Sequence, residues 1–90
     1  MVLATKNYYE QFTDAQIFAL RTSYEKKVGL TLMAVQRARL ALAQVMENRD
    51  PSDDWMIPYM QDDITDYTYW LTKYRGLLAA VQAEIARRGL

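Results

Sequence analysis

The chain has 90 residues, zero net charge, 51% hydrophobic residues, and neither Cys nor His. That length allows one domain and one core, and the apolar content, with seven Tyr and two Trp, excludes a disordered tail. Without Cys and His, thiol catalysis, disulfide staples and almost every zinc or haem arrangement are removed.

Residues 1–12 have no clear period and read as a short N-terminal arm, with Tyr8, Tyr9 and Phe12 available to anchor it. The arm lacks the apolar stretch of a classical signal peptide. No apolar run in the chain approaches the roughly 20 residues that cross a bilayer. A location in the cytoplasm or inside a virus particle is the expectation.

Thr13-Asp14-Ala15-Gln16 matches a capping box, in which the Thr hydroxyl and the Gln side chain each satisfy an open backbone amide. Phe12, just before it, suits a hydrophobic staple. A ladder of small and apolar residues follows at helical spacing: Ile17, Tyr24, Val28, Thr31, Val35, Ala38, Leu42 and Val45. This predicts a first helix over about residues 13–48, roughly 52 Å long.

Asp50-Pro51-Ser52-Asp53-Asp54 is the strong breaker cluster. It predicts a turn over about residues 49–57, with Ser52 or Asp53 capping a short turn around Trp55. A second helix is expected over about residues 58–88, with Pro58 in its first turn and Gly89 at its C-terminal cap. Asp62, Asp63 and Asp66 fall early in it, where the helix dipole favours acids.

The second helix repeats the ladder: Ile57, Met60, Ile64, Tyr67, Leu71, Tyr74, Leu78, Val81 and Ile85. Folding the chain back at the turn brings the ladders together with partner numbers summing to 105 or 106. Tyr74 then meets Thr31 and Tyr67 meets Ala38, large against small, as a filled core requires. Gly29 and Gly76 fall at one level, which predicts close backbone approach or room for a bulky neighbour. Arg21 opposite Ile85 and Ile17 opposite Arg88 predict a polar, fraying open end.

The fold class is thus all-α: a long antiparallel two-helix hairpin over 13–90, coiled-coil-like, behind a short arm. A helical hairpin of this length with a Trp near its turn resembles the small secreted WXG proteins. It departs from them where the turn reads Asp54-Trp55-Met56-Ile57, without Trp-x-Gly.

Two helices share one seam, and the rest of each should be polar. The first helix breaks this rule from Val28 to Met46. Phe18, Leu30, Leu32, Met33, Leu40, Met46, Trp55, Tyr69, Trp70 and Leu77 are the candidate partner-binding residues. A surplus of this kind marks an interface, so a homo-oligomer or a larger helical bundle or ring is expected.

Charge divides along the hairpin. Between Glu47 and Asp66 stand seven acids and one base, Arg49, while Arg21, Lys26, Lys27, Arg75, Arg87 and Arg88 lie towards the open end. The acidic turn lacks the ordered oxygens and central Gly of a calcium loop, so no metal is expected. Asp62, Asp63 and Asp66 are accompanied by no His, Cys or Lys constellation, and no Gly-rich phosphate loop is present, so neither catalysis nor a cofactor is expected. Arg37, Arg39, Lys73 and Arg75 beside Tyr69 and Trp70 suggest a nucleic-acid surface, but net neutrality weighs against it. The function expected is a non-enzymatic structural or assembly subunit, a virus or phage particle component being one setting. The alternative is a soluble protein-binding module such as a secretion chaperone, an adaptor or an antitoxin-like regulator.

Overall fold

The structure, a computed structural model, describes residues 8–90. Of the expected arm, residues 1–12, the first seven lie outside the described residues. A 3₁₀ turn at Tyr8–Gln11 leads into helix α1, Asp14–Glu47. A second 3₁₀ turn, Pro51–Asp53, leads into helix α2, Met56–Arg88. The two long helices pack against each other as an all-α hairpin, with no strand among the described residues.

Local chemistry sets the boundaries. Thr13 accepts from the Gln16 amide at 3.1 Å, and Gln16 Oε1 accepts from the Thr13 amide at 2.9 Å, completing the capping box. At the far end Gly89 adopts a left-handed conformation, φ 72°, which only glycine enters without strain. There the Leu90 amide donates to the Ile85 carbonyl at 3.2 Å, closing the last turn. The turn is capped by Asp50, whose carboxylate accepts from the Ser52 amide, rather than by Ser52 or Asp53. Trp55 precedes α2 with no side-chain cap. Because α2 begins at Met56, Asp62, Asp63 and Asp66 lie beyond its first turn, and the dipole does little for them.

The seam follows the ladders with one shift. Every ladder residue named for α1 is buried or half-buried, as are those of α2 except Tyr67, which is 41% exposed. Thr68 is the half-buried residue at that level, so two steps of four follow Met60 before the spacing returns to three. An α-helix turns every 3.6 residues and drifts against a strict seven-residue repeat. Thr65 and Thr72 each donate their hydroxyl to the carbonyl four residues back. The Thr68 hydroxyl is buried in the seam without a hydrogen-bond partner.

The open end does not fray; it is the best-buried part of the molecule. Ile17 and Val81 have no exposed surface, and with Tyr9 and Ile85 they form a core cluster. Phe12, Phe18, Leu20, Tyr24 and Ala80 pack around it. Arg88 makes this arrangement work. Its guanidinium donates to Glu84, to Asp14 at 2.8 Å, and to the backbone carbonyls of Tyr9 and Phe12. The polar residue that faces Ile17 thus ties the arm, the start of α1 and the end of α2 together.

The glycines differ from expectation as well. A Cβ added at Gly29 or Gly76 meets nothing within 4 Å. Both lie on outer surfaces, because a register sum addresses height along the hairpin and not direction. The Cα trace measures 57 × 32 × 14 Å, a thin layer with no third long element over its broad faces among the described residues.

Candidate interaction surface

Three surfaces stand outside the seam. The first is the back of α1. Leu30, Met33 and Leu40 are 57%, 47% and 60% exposed. They follow one another at helical spacing on the side away from α2, and exposed Gly29 and Ala43 continue the strip. Met46, near the turn, is exposed too.

The second surface lies midway along α2. Trp70 stacks on Tyr74, with ring centres 5.9 Å apart, and meets Tyr69 edge-on at 5.4 Å. Two cations cap the group: Lys27 Nζ is 5.4 Å from the Tyr74 ring centre, and Lys73 Nζ is 5.7 Å from that of Tyr69. Such contacts spread the ammonium charge over an aromatic face. Leu77, two turns beyond Trp70, is borderline exposed.

The third is the tip. Trp55 and Tyr59, both about two-thirds exposed, meet edge-on at 6.2 Å. Arg49 pairs with Asp54 at 2.9 Å across the turn. Hydrogen bonds from Ser52 hold the Asp50 carboxyl below the usual carboxylate range. Among the described residues no group of three acids is arranged to hold a metal ion. None of their helices is long and apolar enough to cross a membrane.

Of the ten residues expected to bind partners, Leu30, Met33, Leu40, Met46, Trp55, Tyr69, Trp70 and Leu77 are exposed. The structure divides them among these three surfaces and does not gather them into one. Phe18 and Leu32 are half-buried. Phe18 packs on the core cluster, and the Arg21 guanidinium lies 5.1 Å from its ring centre.

Sequence reasoning missed the most specific polar arrangement, the one around Glu84. This residue is completely buried and accepts from Arg87 and Arg88 together, with contacts of 2.6–2.8 Å. Bonds from Arg87 first, then Arg88, hold its carboxyl down to about 2 against the opposing effect of desolvation. The signal was present as Glu followed by Arg at the third and fourth positions. The outer pair Arg87–Glu10, at 4.0 Å, adds a weaker link to the arm. Beside this clasp, Phe12, Gln16, Ala19 and Leu20 line an open, mainly apolar groove of about 290 Å³. Tyr9 is buried next to it, and burial, with a hydrogen bond to Tyr24, pushes its hydroxyl up to about 12.

The arrangement gives a rigid, clasped hairpin that presents apolar and aromatic surface on several sides. Compared with known proteins, the chain matches no family model, no curated protein and no solved structure.

Proposed function

We propose that this hairpin is a structural subunit that self-associates or packs into a larger assembly through its apolar flanks. The observation that carries this reading is the exposed strip of Leu30, Met33 and Leu40 on the back of α1, with no element over it among the described residues. Apolar surface placed in a row on a rigid helix loses water favourably when a matching surface covers it. The clasped open end supports the same reading, since a preorganised rod surrenders little conformational freedom on assembly. A virus or phage particle is one setting for such a subunit.

Light scattering on the purified chain over a range of concentrations tests the proposal. A defined oligomer or a growing assembly is expected. Leu40→Asp, on the outer strip, is expected to reduce association while leaving helicity intact. Leu71→Asp, in the seam, is expected to unfold the hairpin. A helical monomer at every concentration would overturn the reading and favour the binding-module alternative.

A further inference from the structure

The back of α1 carries a self-complementary pattern. Lys26, Met33, Leu40 and Glu47 recur every seven residues along it, and all four are exposed. Read against a second copy running the opposite way, the column matches itself. Met33 falls opposite Leu40, and Lys26 opposite Glu47, the numbers of each pair summing to 73. Leu30 and Ala43, on the adjoining columns, obey the same sum. Every match occurs twice, because a two-fold axis between Gln36 and Arg37 exchanges the copies.

Resting on the self-association reading above, we infer that the partner at this strip is a second copy of the chain, bound antiparallel, α1 against α1, about this axis. Charge complementarity selects the arrangement. Lys26 and Glu47 make no ion pair among the described residues, and the antiparallel register gives each a partner of opposite sign at the two ends of the contact. A parallel register would set Lys26 against Lys26 and Glu47 against Glu47. The strip from Lys26 to Glu47 is about 32 Å long at 1.5 Å per residue, some six turns of helix. Its middle is apolar and its ends are charged, the layout of an interface with a dry centre and a wet rim.

Gly29 supports close approach. Its Cα faces open space, so a neighbouring helix meets backbone there rather than a side chain. The two Arg37 side chains oppose the pairing, since they lie near each other across the axis. Both are exposed, and their long stems let the guanidinium groups diverge into water. The product is four helices in two clasped hairpins, with the aromatic patch of α2 left uncovered on each.

The natural chain has no cysteine, so a single introduced one reports on the axis. Gln36→Cys is expected to form a covalent dimer under mild oxidation, visible on a non-reducing gel, while Tyr69→Cys is not. Lys26→Glu and Glu47→Lys are each expected to weaken dimerisation about tenfold by turning two attractions into two repulsions. The double exchange is expected to restore it. Association that persists while Gln36→Cys cross-links no better than Tyr69→Cys, with no restoration by the double exchange, would overturn this arrangement and leave self-association standing. A chain that stays monomeric throughout overturns both.

Discussion

Replacing Ile17 by Ala probes whether the open end of the hairpin holds the molecule together. The side chain has no exposed surface and contacts a cluster formed by Tyr9, Val81 and Ile85. The change removes the δ-methyl, a γ-methyl and the γ-methylene. At about 0.8 kcal/mol for each buried carbon, the lost transfer energy is about 2.4 kcal/mol. Incomplete collapse of the cavity adds to this, and the better helix propensity of Ala returns about 0.4 kcal/mol. The net destabilisation is about 3 kcal/mol. For a domain of this size that lowers the melting temperature by roughly 12–24 °C.

Val45→Ala, at a half-buried rung near the turn, is expected to cost about 1 kcal/mol. Urea unfolding followed by circular dichroism, at protein concentrations low enough to keep the chain monomeric, measures both. If Ile17→Ala costs less than Val45→Ala, the open end frays and the placement of the core is wrong.

Three further expectations concern polar groups. The Glu84 carboxyl sits at about 2 in the folded chain, below its ordinary value of 4.5. The unfolded chain therefore binds the proton first as pH falls, and the stability Glu84 confers above pH 4.5 drains away towards pH 2. Thermal melts across that range should show the decline, and Glu84→Gln should flatten it; identical profiles would remove Glu84 as the acid-sensitive group. Tyr9 is shifted the other way, from 10.0 to about 12, so the folded chain holds its proton longer, and stability should fall as pH rises from 10 towards 12. A Tyr9→Phe chain whose alkaline melting profile matches that of the parent would contradict this. Thr68→Val replaces a buried, unpartnered hydroxyl with a methyl group and should stabilise the hairpin by about 1 kcal/mol in urea titrations; a loss of stability would mean the hydroxyl has a partner after all.

The hairpin was legible because period and partner size repeat along both helices. Thr13 and Gln16 wrote the start of α1, and Gly89 wrote the end of α2, each through a local rule. What local rules do not carry is direction in space. Gly29 and Gly76 were read as a point of close approach, and both instead face open space. Tyr67 was read as inward because a strict alternation of three and four ignores the drift that brings Thr68 inward instead. Arg88 was misread most seriously. An arginine facing Ile17 looks like a break in an apolar seam, yet its stem lies along apolar surface while its guanidinium reaches a buried carboxylate and two carbonyls. Those carbonyls belong to Tyr9 and Phe12, and no pattern of side chains announces where backbone acceptors will stand. The exposed strip on α1 was visible as surplus, because apolar residues beyond those the seam absorbs must face outward.

The clasp also has a kinetic consequence. Arg88 bonds to partners 74 to 79 residues away along the chain, whereas the turn, where loop closure is easiest, holds no fully buried residue. A hairpin that zips from its turn gathers little burial at first and meets its strongest contacts last. The barrier to folding therefore stands late, with most of the seam already aligned. During synthesis, α1 waits without its partner until Val81, Glu84, Ile85 and Arg88 have emerged. Its seam face, Ile17, Val35 and their neighbours, is uncovered for that whole interval in addition to the apolar back that α2 never covers, which makes the nascent helix the species most exposed to premature association.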